Sequence, residues 1–203
     1  PILKQRKQSS MSALARLVRP FVLRRLKTDP EIVHDLPEKT EQIVAATLSR
    51  EQAILYESVV RKGLQEVERA QEGIQRRGAI LTTLLRLKQV CNHPEYVVPT
   101  GRPLDGRSGK LERLVELLLE MPPDDKGLVF TQYPGFDRLP THLAQRTGRA
   151  VGLFHGGLPA RRRDELVAAF SSPEGPSLLV VSIRAGGRGL NLPAANHVFH
   201  FDR

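Results

Sequence analysis

Cysteine is nearly missing: Cys91 stands alone among 203 residues. No internal disulfide can form, and a reducing, cytoplasmic setting is expected. The same scarcity argues against zinc. A closed zinc site needs four ligands, whereas Cys91 and His93 supply two and the six histidines are scattered. No structural metal is expected. Long apolar runs are also missing. Nothing approaches the ~20 residues of a membrane-spanning helix, and the N-terminus has no signal-peptide pattern, so no membrane partner is expected. Acid is absent from residues 1–27, which hold eight Lys or Arg, nearly the whole net charge of +9. Such an arm suits an anionic partner, most often nucleic acid.

Phosphate-loop chemistry is missing too. Gly101 to Ser108 comes within one letter of G-x-x-x-x-G-K-[ST], but a phosphate loop needs a strand before it and a lysine inside it. No strand is expected before Gly101, Pro103 and Asp105 make a turn, and Arg107 replaces the lysine. The segment reads as a linker between two halves. Asp164 and Glu165 follow no strand either, so they form no magnesium-binding acidic pair.

What is present divides near residue 100. In residues 1–100, Leu14, Leu17, Val18 and Phe21 recur at helical spacing across 11–26, interrupted by Pro20. The β-branched run 40–48 reads as a strand joining the sheet. Ser49 with Gln52 three positions on is a capping box that starts a helix as far as about Arg69. Its apolar face is Ile54, Leu55, Val59, Leu64 and Val67. A second helix is expected over 74–92, with Ile80, Leu81, Leu84, Leu85 and Leu87 as its buried side and Pro94 as its stop. Each helix is amphipathic on one side and needs a partner surface.

Residues 101–203 alternate between helix and strand. Helices are expected at about 110–121, to about 146, and after Pro159, with Leu166, Val167 and Phe170 facing inward. Strands are expected at 127–130, 150–154, 178–181 and 196–201. Such alternation with short loops implies an α/β fold with a mainly parallel sheet and helices on both faces. Polar clusters follow the ends of three strands: Thr131-Gln132-Tyr133, His155-Gly156-Gly157, and Ser182 to Asn191. The last is dense in glycine, which lets backbone N–H groups approach an anion. Ligands of open α/β sheets bind at this edge. Arg161, Arg162 and Arg163 open the helix after the second cluster, a place where arginines are mildly unfavourable without an anion.

Four blocks together resemble the second motor lobe of the SNF2/Rad54-like family of superfamily 2 helicase-type ATPases, microbial members above all. They are Pro20 to Lys27 with Asp35 to Lys39; Leu84 to Pro94; Leu128 to Tyr133; and Ser182 to Asn191 with Asn196 to Arg203. The resemblance spans nearly the whole chain. It implies a RecA-like lobe preceded by the helical connector and insertions of the group. It also implies ATP hydrolysis, with Mg2+, coupled to translocation along duplex DNA and remodelling of protein–DNA complexes. By resemblance Thr131, Gln132, His155, Gly156, Arg163, Ser182 and Arg184 contact DNA, while Gly187, Arg188, Gly189 and Asn191 lie on the nucleotide side. Arg188 departs from the family, which carries a small or apolar residue there.

No catalytic residue is assigned within the chain. The phosphate loop and acidic pair would lie before Pro1, and the finger arginine after Arg203, so the chain reads as a fragment whose partners are DNA and its own first lobe. No oligomer is indicated, and a cytoplasmic, nucleoid-associated location is expected. Two other readings stay open: a non-catalytic lobe that only binds nucleic acid or a partner, and a motor acting on RNA or on RNA polymerase complexes.

Overall fold

The computed structural model describes residues 17–18, 21–22, 39–133, 137–186 and 190–202. The chain divides into two compact units, residues 1–44 and 45–203. Most of the expected 11–26 helix, the Arg24-Arg25 pair, and Gly187, Arg188 and Gly189 lie outside the described residues. The second unit holds a helical hairpin and the sheet.

Helix α1 (Arg50–Arg69) starts where the capping box places it. Ser49 Oγ accepts the Gln52 N–H at 3.1 Å, and Gln52 Oε1 accepts the Ser49 N–H at 3.0 Å. Gln52 is fully buried and does more than cap. Its amide donates to the carbonyls of Val90 and Cys91, and its oxygen also accepts the Gly109 N–H. Helix α2 (Ile74–Asn92) folds back on α1, and the two cross closely at Gly63. A Cβ there would overlap Thr83 Cγ2, so only glycine fits this crossing. A 3-10 turn, Pro94–Tyr96, ends α2 as the proline requires.

Two expectations for this half are corrected. Residues 40–48 form no strand; they are exposed chain without regular structure, and β-branched residues favour a strand only where a sheet edge accepts them. The expected apolar faces of the hairpin are only partly buried. Leu81 is 67% exposed, Leu84 52% and Ile54 63%, with Ile80, Leu85 and Leu64 also exposed. Of those faces Val59 is buried and Leu55, Val67 and Leu87 are half-buried; Gly63, Val90 and Asn92 are buried as well, because the hairpin packs through its crossing and its base.

The base is held by the segment expected to be a plain linker. Arg107 is buried, with Nε and Nη2 on the Glu51 carboxylate at 3.0 and 2.8 Å and Nη1 on Glu95 at 2.7 Å. Ser108 Oγ donates to the Asn92 carbonyl at 2.6 Å and accepts the Leu111 N–H, capping helix α3 (Gly109–Glu120). The look-alike of a phosphate loop is therefore a buried clamp between hairpin and lobe.

Beyond α3 the elements are β1 (Gly127–Thr131), α4 (Arg138–Thr147), β2 (Val151–Phe154), α5 (Ala160–Ser171), β3 (Leu178–Ser182), the single turn α6 (Ile183–Gly186) and β4 (His197–His200). Among the described residues the sheet has four strands in the order β2-β3-β1-β4, every neighbour parallel. All of β3 is buried. Leu178 and Val180 join Val129 under α3 and α4, while Leu179 and Val181 join Leu128 and Phe154 under α5 and its buried Phe170. Each such aliphatic side chain contributes about 2 kcal/mol by leaving water. At the amino edge of the sheet Lys126 turns inward, donating to the carbonyls of Phe170 and Ser172 at the end of α5.

Candidate functional site

The parallel register sets the site. Thr131 pairs with Ser182, and Phe154 with Val181, so the chain leaves β1, β2 and β3 along one carboxyl edge. The three polar clusters thus share one edge of the sheet. Between this edge and α2 lies an open cleft of about 970 Å³, lined by Gln89, Tyr96, Gln132, Tyr133, Arg138 and Arg184 among others.

Of the expected DNA contacts, Gln132 and Arg184 reach this cleft. Arg184 is exposed on α6, and its guanidinium has no partner among the described residues. Thr131 and Ser182 are buried beneath the edge. The Thr131 hydroxyl donates to Asp202 Oδ2 at 2.7 Å, so its visible work is to shape the turn. His155 and Gly156 follow β2, the outer strand; Gly156 is exposed, and His155 Nδ1 accepts the Gly157 N–H at 3.2 Å. At the start of α5, Arg161 and Arg162 each bond Glu165 on the exposed face, which holds that carboxyl below its usual range. Arg163 instead turns inward, and its buried Nε has no hydrogen-bond partner among the described residues. Asn191 is exposed on the stretch leading to β4 and does not line the cleft.

The far wall is built from the 3-10 turn. Tyr96 and Tyr133 meet with ring centroids 5.5 Å apart. Burial raises the Tyr96 pKa above its ordinary value, so the phenol stays protonated. Behind them sits Glu95. Burial works to raise its pKa, but hydrogen bonds from Arg107, Thr100 and Gly101 overcome that and bring it down to about 2. Arg138 also reaches Glu95, at 3.3 Å. The buried carboxylate therefore engages two arginines of this wall, and among the described residues lining the cleft Arg184 is the cation without such a bond.

His93, two residues from Cys91, is held inside the fold. Its Nδ1 accepts the Glu95 N–H at 3.0 Å and its Nε2 lies 3.2 Å from the Leu104 carbonyl. Both ring nitrogens are engaged, and desolvation lowers the pKa of the ring. Among the described residues no group of three or more His, Cys, Asp or Glu could hold a metal ion.

Two side chains at this edge are missed by the sequence reading, Asp202 and Asn92. Asp202 is buried at the end of β4 and takes hydrogen bonds from Thr131, the Gln132 N–H and Asn92. Its signal in the sequence is faint: a single acid after an aromatic, at the close of a strand.

Residues 1–96 match the SNF2-related domain and residues 109–203 the helicase conserved C-terminal domain. The chain is 42% identical to YwqA of Bacillus subtilis over 207 residues, which is all of this chain and 22% of YwqA. It is 34% identical over 202 residues to a chromatin structure-remodeling complex subunit, snf21 of Schizosaccharomyces pombe, covering 93% of this chain and 17% of that one. The chain thus spans about a fifth of the length of these curated relatives. Its fold superposes on the C-terminal domain of a Sulfolobus solfataricus SWI2/SNF2 ATPase with a TM-score of 0.71 and 34% identity, covering 79% of this chain and 70% of that domain. On that ATPase core in complex with dsDNA the TM-score is 0.74, covering 95% of this chain and 41% of the core. The chain belongs to the SWI2/SNF2 family of helicase-type ATPases and forms its second, C-terminal RecA-like lobe.

Proposed function

We propose that this lobe is half of a DNA-dependent ATPase motor that translocates on duplex DNA and remodels protein–DNA complexes. The observation that carries the reading is the shared carboxyl edge, where the turn after β1 and the turn after β3 present Gln132 and Arg184 to one cleft. The 34% identity to an ATPase core solved in complex with dsDNA supports it. On this reading Gln132 and Arg184 touch the duplex backbone, and His155, Gly156 and Arg163 extend the track along the outer strand. Arg163, half-buried at the start of α5, keeps its Nε without a hydrogen-bond partner among the described residues. Thr131 and Ser182 act from beneath, shaping the turns.

ATP with Mg2+ would be held mostly by the first lobe, where bound nucleotide supplies the phosphoryl chemistry. This lobe would contribute Gly187, Arg188, Gly189 and Asn191 as the opposite wall. Because Ser182 to Asn191 carries both sets of contacts, the loop ties hydrolysis to movement. A cytoplasmic, nucleoid-associated location accompanies this reading.

The decisive measurement is ATPase activity of the full-length protein with and without duplex DNA, with Arg184→Ala and Asn191→Ala as variants. Duplex should stimulate turnover; Arg184→Ala should raise the half-saturating duplex concentration, and Asn191→Ala the half-saturating ATP. No stimulation by duplex, or stimulation by RNA alone, overturns the reading. The 203 residues by themselves should bind DNA weakly and hydrolyse no ATP. Duplex-stimulated turnover by them would contradict the proposed division of labour.

A further inference from the structure

Beneath the cleft a buried polar chain joins the helical hairpin to the turn after β1. Asp202 stands at its centre. Its Oδ1 accepts the Gln132 N–H at 2.6 Å, and its Oδ2 accepts the Thr131 hydroxyl at 2.7 Å and the Asn92 amide at 3.1 Å. The Thr131 hydroxyl oxygen in turn accepts the Tyr133 N–H at 3.2 Å. Three successive residues, Thr131 to Tyr133, are thereby fixed by one carboxylate. Asn92, the last residue of α2, is itself held: Lys110 Nζ donates to its Oδ1 at 2.7 Å and Ser108 Oγ to its carbonyl at 2.6 Å. Asp202, Asn92 and Thr131 are all buried, where hydrogen bonds are shielded from water and reinforce one another.

We propose that Asp202, held by Asn92, is a positioning residue that sets the duplex-facing turn Gln132–Tyr133 and couples it to the helical hairpin. Asp202 itself touches no DNA; it acts through Gln132 and Tyr133, which line the cleft. The inference rests on the reading of that cleft as the duplex track. Its geometric part, that the carboxylate holds the turn, stands separately.

A swap of the pair tests it. In the full-length protein, Asp202→Asn retains the acceptor for the Gln132 N–H but places an amide donor against the Asn92 amide. Adding Asn92→Asp makes the partner an acceptor and restores complementarity, with Lys110 still opposite. Asp202→Asn should raise the half-saturating duplex concentration for ATPase about tenfold, the order set by one buried hydrogen bond to a charged group. The change should fall on duplex rather than on ATP, and the double variant should recover. Hydrogen exchange of the segment 131–133 should accelerate in Asp202→Asn and slow again in the double variant. If the unmodified protein shows no duplex response, the track reading falls and exchange alone decides: unchanged exchange in Asp202→Asn overturns the latch. If the swap restores exchange but not the duplex response, the coupling proposal is overturned. Should Asp202→Asn fail to fold, Asn92→Ala, which removes the outer donor to Asp202 together with the acceptor of Lys110, takes its place with the same two readouts.

Discussion

Arg107 and Glu95 illustrate how far a single side chain can depart from its sequence context. In a stretch of turn residues, Arg107 spans Glu51 of α1 and Glu95 of the 3-10 turn with three short bonds. Arg107→Met leaves the Glu95 carboxylate buried and short of its main partner, at a cost of about 3 kcal/mol; urea unfolding at neutral pH should show it as a lower midpoint. The same pair fixes an acid response. Glu95 is held at about 2 against an ordinary 4.5, so its contribution is complete above pH 4.5 and lost as pH falls from there toward about 2. His93 acts earlier. Its folded pKa lies below the ordinary 6.5, so the unfolded chain binds the proton first and stability declines as pH drops below 6.5. Urea midpoints measured stepwise from pH 8 to 3 should fall in both windows, and Glu95→Gln should flatten the lower one. The sequence showed Gln132 and Arg184 as edge residues because each lies within three residues of the end of an apolar run. It could not show Asp202 or Asn92 as their supports, since a contact across the fold leaves no mark in local spacing.

Among the elements, the α1–α2 hairpin depends most on one position. A Cβ at Gly63 would collide with the Thr83 side chain. Gly63→Ala should cost about 1–3 kcal/mol by forcing the helices apart, seen as a lower melting temperature. Thr83→Ala in that background should recover part of it. The bounds of these helices were readable from Ser49, Gln52 and Pro94, because caps and stops are local chemistry. Their buried faces were readable only in part. Ile80, Leu81, Leu84 and Leu85 repeat at helical spacing, yet burial is decided by what the fold sets against a helix. The run 40–48 failed for the same reason: β-branched residues favour a strand only where an edge accepts them. The α/β strands were legible because Leu178 to Val181 can be buried on both faces only inside a parallel sheet.

For the whole molecule, charge is dispersed by pairing. Arg107, Arg138, Arg146 and Arg149 are each bonded to carboxylates or backbone carbonyls, so a high arginine count overstates the cations available to a ligand. Duplex binding by the full-length protein should weaken steeply with salt, and Arg184→Ala should lower the slope by about one unit. An unchanged slope would mean that Arg184 meets no phosphate. The strand order β2-β3-β1-β4 has a further consequence, for synthesis rather than for the finished fold. Strand β1 is made first, yet it lies at the centre, and both neighbours come from later chain: Leu178–Ser182 and His197–His200. While the ribosome adds the next fifty or so residues, Leu128, Val129 and Phe130 have an unpaired strand on each side, a condition that invites misassociation. Pairing on both sides of β1 is therefore complete only after β4 has emerged, and until then its open edges invite capture by chaperones.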